Sequence, residues 1–284
     1  MAASGGSAVP AAEGGSRDWG ALSIAEQTLL RRAFSEAPLV SSIQHYGIAL
    51  RWERVEGAPA ARSLTEEEQV RLLPRMAEAA LGLCEGGFLR VEAPGGSPVG
   101  TDALREVLAD PVNWLWRPVP PPRYGLVAGQ VARERWYEDA LPIADTGGLP
   151  GWAELDVPQQ EVLVCAAEAS GMLTGPYGIW DELPQGLDDE RRTSWVERQL
   201  APLVPFVRAG LIEVQHYPDG ASDEFSVIPL DDLHSALADP AVRYEGADAG
   251  EDWGVGVGCV FTHAGLAVWR GGWGRDWSAR LTFG

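Results

Sequence analysis

The chain's 284 residues are enough for two modest domains, and its 45% hydrophobic residues are enough to build packed cores. Its 41 acidic residues outnumber its 22 basic residues, so the formal net charge is −19. A surface this acidic repels the phosphates of nucleic acids and of anionic membranes, and it attracts basic proteins. The composition therefore argues against nucleic-acid and membrane binding, and it favours either a basic protein partner or an acidity that only keeps the protein soluble.

Further features of the sequence predict where the protein works. Residues 1–18 have neither a basic start nor an apolar stretch, so we predict a disordered tail there and no secretion signal. No run of 18 apolar residues occurs, and the three cysteines lie singly in apolar segments, which predicts buried free thiols. All the basic residues are arginine, as is typical of high-GC genomes. We therefore expect a cytoplasmic bacterial protein.

The first half reads as helix, loop, long helix, short strand and short helix. Residues 23–34 begin with a serine suited to capping a helix and continue with apolar residues at helical spacing. Residues 66–86 begin with three glutamates, which suit the positive end of a helix, although Pro74 is expected to kink it. A short strand is predicted at 88–91, and an Asp-Pro pair at 110–111 ends the helix that follows.

The second half repeats this order. DALREVLADP at 102–111 returns as DDLHSALADP at 231–240, and residues 64–91 align without a gap on 187–214. Four such matches keep the same order, with offsets between 123 and 133 residues. Because collinear matches at near-constant offsets are rare by chance, the sequence predicts an internal duplication.

The second half also contains the clearest strands. Residues 211–217 and 224–230 read as two strands joined by a Pro-Asp-Gly turn, and the alternating Gly and Val of 254–258 indicate another. Pro202 and Pro205 are expected to split the long helix that precedes them.

A helix pair followed by AGLIEV, a tight turn and FSVIPL resembles a winged helix, and VFTHAGLAVWR at 260–270 resembles the closing segment of such domains. The resemblance is weaker in the first half, where EAPGGSPVG replaces the clear hairpin. It implies an α+β protein of two tandem winged-helix-like modules, residues 19–140 and 153–284, joined by a linker at 141–152. Some winged helices bind DNA and others bind only proteins, so the resemblance leaves both functions open.

No motif predicts a catalytic, cofactor or metal site. The four histidines are each alone in their segments, no serine lies in a G-x-S-x-G turn, and the glycine clusters lack the spacing of a phosphate-binding loop. An enzyme with a site assembled from scattered residues stays open as an alternative. A pocket containing two or more of His45, His216, His234 and His263 would favour it.

Aromatic residues offer one candidate surface for binding a partner. The chain has 12 tryptophans, and its C-terminal end combines several of them with arginine. Tryptophan and arginine dominate the binding energy of protein interfaces. The candidate partner-binding residues are Trp269, Arg270, Trp273, Arg275 and Trp277. The alternative is that these tryptophans fill the core and brace the contact between the repeats, and the intervening glycines favour a strand and a loop over a helix.

A non-enzymatic protein-binding module is therefore the expected function, and its most specific form is an inhibitor or immunity-type protein that neutralises a basic partner such as a toxin. The alternative is a DNA-binding transcriptional regulator that uses the second module. In that case Arg191, Arg192, Arg198 and Arg208 would contact the nucleic acid. The predicted wing, PDGASDE, is acidic and disfavours this alternative.

Overall fold

The computed structural model shows an α+β protein with two separate hydrophobic cores. It describes residues 18–115, 123–140, 149–167, 171–175, 178–219, 224–244 and 254–274, except the side chains of Glu138 and Ala140. The predicted tail before Asp18 and most of the predicted linker, at 141–148, lie outside these ranges. None of the described helices is both long enough and apolar enough to cross a bilayer.

The first half packs its helices around a two-stranded antiparallel sheet. Its elements are α1 (Ile24–Phe34), α2 (Ser42–Trp52), α3 (Glu66–Glu85), β1 (Leu89–Glu92), α4 (Thr101–Ala109), β2 (Gly125–Ala128) and α5 (Gln130–Ala140). Helix α2 packs against both α1 and α3. The first core extends from Leu22 to Trp136 and contains only residues of this half.

The second half has a three-stranded antiparallel sheet in the order β4-β3-β5. Its elements are α6 (Val157–Ala167), α7 (Asp189–Leu200), α8 (Val204–Arg208), β3 (Ile212–Tyr217), β4 (Ser226–Val227), α9 (Leu233–Ala238), α10 (Pro240–Arg243), β5 (Gly256–Phe261) and α11 (His263–Val268). The second core extends from Trp152 to Trp273. Trp152 thus packs with the second half and is not part of a free linker.

Prolines act differently in the two long helices. Helix α3 continues through Pro74, so the predicted kink does not divide it, whereas α7 ends just before Pro202 and α8 begins around Pro205. Leu73, Met76 and other apolar residues bury one face of α3, while Pro74 is exposed. In α3, the packing of the buried face outweighs the one hydrogen bond that Pro74 removes on the exposed side. In the second half, two prolines close together interrupt the helix.

The two halves repeat individual hydrogen bonds. The Gln27 amide donates to two carbonyls of the preceding 3-10 turn at 3.0 and 3.3 Å, and the Gln160 amide does the same at 2.9 and 3.1 Å. Asp110 and Asp239 each precede a proline, and each accepts from the backbone N–H two residues on, at 3.0 and 2.9 Å. The sequence matches thus correspond to matched local geometry.

A short extended segment after the first helix of each half also repeats. Pro38 bridges Gly125 in the first half, and Met172 bridges Gly258 in the second. Both bridges are antiparallel, so a short extended segment lies beside β2 in the first half and beside β5 in the second. The halves then share a helical region (α3, or α7 and α8), a strand, a short helix, a further strand and a final helix.

The glycine-rich segment of the first half folds as a tight turn. The Ala93 N–H donates to the Ser97 carbonyl at 2.8 Å, and Glu92 bridges Pro98. Gly95 and Gly96 have φ of 101° and 84°, which a side chain would strain. This half thus has a small wing-like turn that the sequence alone did not reveal.

Helix α2 is the main difference between the halves. The sequence analysis predicted a loop between the first helix and the long helix of each half. That prediction is wrong for the first half, where residues 42–52 are helical. It holds for the second half, where residues 178–188 contain no helix. Within the described ranges, α6 therefore has no counterpart of α2 packed on it.

Candidate functional site

The Trp/Arg-rich end continues α11 as a π-helical turn over Trp269–Trp273, so the predicted strand and loop are wrong. Trp273 is only 1% exposed, and its indole N–H donates to the Pro150 carbonyl at 2.9 Å. Its ring centre lies 5.7 Å from that of Phe206. The burial removes Trp273 from the candidate partner surface, because a side chain this enclosed cannot contact another protein.

Trp269 also supports the second core. Its ring packs edge-on against Trp152, with ring centres 5.8 Å apart, and at an interplanar angle of 35° against Phe261, with ring centres 5.5 Å apart. Arg270 is partly buried, and burial lowers its pKa. The remaining two candidates, Arg275 and Trp277, lie outside the described residues. The described tryptophans of this segment thus brace the fold.

The halves meet along the edge of the wing. The Ser63 N–H donates to the Phe225 carbonyl, and the Val227 N–H donates to the Ala61 carbonyl, both at 2.8 Å. Residues 61–63 of the first half therefore lie beside β4 like one more strand. These residues cover the outer edge of β4, so this edge cannot enter a groove of DNA.

An ion pair joins the halves beside this strand. The Arg51 guanidinium donates to Glu213 Oε1 at 2.6 Å, and the Trp52 indole donates to Glu213 Oε2 at 3.1 Å. The Gln215 amide donates to the same carboxylate at 2.6 Å. Both charged side chains are mostly buried. Removing one partner would leave an uncompensated charge at the junction, which destabilises the fold.

His263, at the start of α11, makes a second polar contact between the halves. Its Nε2 lies 3.2 Å from Arg31 Nη1, and its Nδ1 lies 3.3 Å from Glu53 Oε1. A guanidinium can only donate, so Nε2 accepts and Nδ1 donates to the carboxylate. Burial, followed by the charge of Arg31, lowers the pKa of His263 against the opposing effect of Glu53. The contact therefore uses a neutral imidazole at pH 7.

Neither of two cavities in the described structure is lined by histidine. One cavity of about 500 Å³ lies between α1, α2 and α3, and a groove of about 460 Å³ lies along α6. Within the described ranges, no group of three or more His, Cys, Asp or Glu side chains is placed to hold a metal ion.

The described cysteine thiols have low reactivity. Cys165 and Cys259 are buried and form no disulfide. The hydrogen bond between these thiols, followed by burial, raises the pKa of Cys259 well above its usual value. Cys84 is half-buried, and burial raises its pKa to about 11. Thiolates are the reactive form, so these cysteines are poor nucleophiles at neutral pH.

The predicted DNA-contacting arginines lie among acids. Arg191 pairs with Asp188 at 3.6 Å, and Arg192 is partly buried. Arg198 and Arg208 are exposed, and the exposed surface of the same segment also carries Asp189, Glu190 and Glu197. No continuous cationic strip runs along 188–208. Asp219 and Glu224, on the described parts of the wing, are also exposed acids.

Many arginines elsewhere are already neutralised. Ion pairs join Arg51–Glu213, Arg62–Glu68, Arg90–Glu92, Arg105–Glu85, Arg133–Glu36 and Arg191–Asp188. Arg243 is buried against the Trp195 ring at 4.8 Å. Because the acids are nearly twice as numerous as the arginines, this pairing leaves an excess of exposed carboxylates.

The groove along α6 in the second half is a further candidate surface. It is lined by Trp152, Val157, Gln160, Glu161, Val164, Cys165 and Ile179. The buried Trp152 indole N–H has no hydrogen-bond partner among the described residues. No arginine is part of the lining. This combination of exposed aliphatic side chains and one carboxylate suits a partner with apolar and basic groups.

Comparison with known protein families, with curated proteins and with solved structures finds no match to this chain.

Proposed function

We propose that this chain is a non-enzymatic, acidic protein-binding module that acts in the bacterial cytoplasm, as an inhibitor or immunity-type protein for a basic partner such as a toxin. In this proposal, its two halves are tandem winged-helix-like modules that arose by internal duplication. The observation that carries the function is the excess of exposed carboxylates that remains after many arginines have been paired or buried.

The matched geometry of the halves supports the architecture. Gln27 and Gln160 make equivalent pairs of hydrogen bonds, and the antiparallel bridges of Pro38 and Met172 occur at equivalent positions. The helix pair α2 and α3, followed by the paired strands β1 and β2, matches the order of a winged helix, whereas residues 178–188 of the second half form no counterpart of α2. The insertion of α4 or α9 between the paired strands distinguishes these modules from the simplest form.

Electrostatics support a basic partner over DNA. Much of the affinity for DNA comes from cationic side chains that neutralise phosphates, and the arginines of α7 and α8 are interrupted by carboxylates. A basic protein instead gains from the same surface, because opposite charge accelerates encounter and fixes orientation. The experiment that tests this function therefore also measures binding to DNA.

Affinity purification of the tagged full chain from its native host tests this function. The expected result is a stoichiometric protein partner with an isoelectric point above about 9, whose association slows steeply as salt increases. The complex is then rebuilt from purified components and measured by stopped-flow. A 30-base-pair DNA duplex serves as the competing ligand. Recovery of duplex binding without any basic protein partner would contradict the proposal.

A further inference from the structure

The groove along α6 exposes side chains that a folded protein usually covers. Val157 is 65% exposed and Ile179 is 45% exposed, and both line the groove. Large aliphatic side chains that lie together on a surface commonly mark interaction sites. The internal repeat shows what covers the same position in the first half.

Equivalent residues of α1 and α6 differ sharply in burial. The hydrogen bonds of Gln27 and Gln160 fix the alignment of the two helices at an offset of 133 residues. Ala25 and Thr28 are 2% and 4% exposed on α1, which packs against α2, α3, α5 and β2. Their counterparts, Pro158 and Glu161, are exposed. Glu161 lines the groove, so the groove extends over a position whose counterpart in α1, Thr28, is buried.

The helix α2, which packs against α1 in the first half, is amphipathic. Ile43, Tyr46 and Leu50 of α2 recur at a spacing of three to four residues, and all three are buried. This spacing puts apolar side chains on one face of a helix. A helix with the same spacing fits a groove bounded by Val157 and Ile179.

The charge around the groove defines the other requirement. Glu161 lies in its lining, and Glu154 and Asp156 are exposed beside the start of α6. No arginine lines the groove. A docked helix that carried acids would be repelled, whereas one with arginine or lysine beside its apolar face would pair with Glu161.

We propose that the α6 groove binds an amphipathic basic helix of the partner protein, with apolar residues between Val157 and Ile179 and a basic residue at Glu161. This inference rests on the proposed function, because it assigns the surface that recognises the basic partner. It follows a known mode of recognition, in which one protein lays an apolar helix face into a groove of another.

A labelled 18-residue peptide with leucines at i, i+3, i+4 and i+7 and arginines beside them is the probe. Fluorescence polarisation measures its Kd for the full chain. A peptide of the same composition without a continuous apolar face is the control ligand. Val131, on α5 and 50% exposed, supplies the control variant Val131→Glu, because it lies outside the groove.

The expected result is saturable binding that Val157→Glu and Ile179→Glu each weaken at least tenfold. Glu161→Arg is expected to weaken binding several-fold and to reduce its salt dependence, while Val131→Glu has no effect. Absence of saturable binding, or equal losses for the groove and control variants, would overturn the proposal. Circular dichroism of each variant shows that it is folded.

Two further results separate this inference from the function on which it rests. If the purified basic partner binds Val157→Glu as tightly as wild type, the groove assignment fails and the proposed function stands. If no basic protein is recovered from the host, the proposed function fails. Sedimentation velocity tests the other occupant: a dimer that Val157→Glu dissociates would assign the groove to a second copy and overturn the proposal.

Discussion

Helices α1 and α6 hold equivalent positions in the two halves, yet one is covered and the other is half open. Both follow a 3-10 turn, and both carry a glutamine that ties the helix to that turn. Helix α1 packs against α2, whereas residues 178–188, which follow α6 in the described part of the second half, form no helix. The comparison shows that the same helix position can serve as core in one module and as surface in the other, depending on one neighbouring element.

The largest expected difference in stability is between two arginine substitutions at equivalent positions of α1 and α6. Thr28→Arg should destabilise the fold by about 3–5 kcal/mol, because it puts an unpaired cation at a buried position of α1. Glu161→Arg should change stability by no more than about 0.5 kcal/mol, since the position is exposed. Urea unfolding of both variants measures the difference. Equal losses would mean that α6 is covered as α1 is.

Removing the ion pair between the halves should have the second-largest effect on stability. Glu213→Ala should cost about 3 kcal/mol, because it leaves the Arg51 guanidinium mostly buried without its carboxylate. Arg90–Glu92 is an exposed ion pair within the first half, and Glu92→Ala is the matched control with an expected loss under about 1 kcal/mol. Thermal unfolding followed by calorimetry compares them. A loss at Glu213 no larger than at Glu92 would show that the junction contributes little.

The repeated glutamines provide a smaller test of the repeat itself. Gln27→Ala and Gln160→Ala each remove two side-chain hydrogen bonds to backbone carbonyls, so each should cost about 1–2 kcal/mol. The two losses should agree to within about 0.5 kcal/mol, and the double variant should be additive because the sites lie in different cores. Urea titrations of the two single variants and the double variant provide the measurement. A large effect at only one glutamine would show that the repeated bonds are not equivalent.

The smallest effect is a pH dependence at His263. Burial and the charge of Arg31 lower the folded-state pKa of His263, and Glu53 opposes this shift. The charge of Arg270 acts on Arg31, and the Trp52 ring packs beside the imidazole. A histidine with a lowered folded pKa stabilises the fold fully above its unfolded pKa of about 6.5. That stability is lost as the pH falls below this value, by at most about 1.4 kcal/mol per pH unit.

Comparison with His263→Gln isolates this contribution from the other groups that titrate in acid. Wild type should lose stability more steeply than the variant between about pH 6.5 and pH 5. Urea midpoints collected across this range measure the slope. Parallel curves for the two proteins would contradict the neutral contact with Arg31 and Glu53.

The sequence was informative wherever local chemistry decides structure. The capping serine Ser23 and the Asp-Pro stops at 110–111 and 239–240 lie where the pattern indicates, and the alternating Gly and Val predict the start of β5 to within two residues. These features depend on neighbours within a few residues.

Tertiary contacts explain what the sequence did not reveal. Helix α2 contains Gly47, a residue unfavourable for helices, but a Cβ there would meet the Leu64 side chain at 2.8 Å, so close packing requires the glycine. The Trp269–Trp273 turn is helical despite its glycines because both tryptophans pack into the second core. The sequence does not predict the α6 groove, because no motif indicates that a helix is missing beside α6 in the described structure.

Hydrogen–deuterium exchange of the full chain, with and without the arginine–leucine peptide, tests the central claim most directly. The account predicts slower exchange in α6 and at residues 178–183 when the peptide is bound, with α1 unchanged because α2 already covers it. Protection confined to α7, or protection of α1 equal to that of α6, would contradict the claim that the second half binds a helix where the first half holds its own.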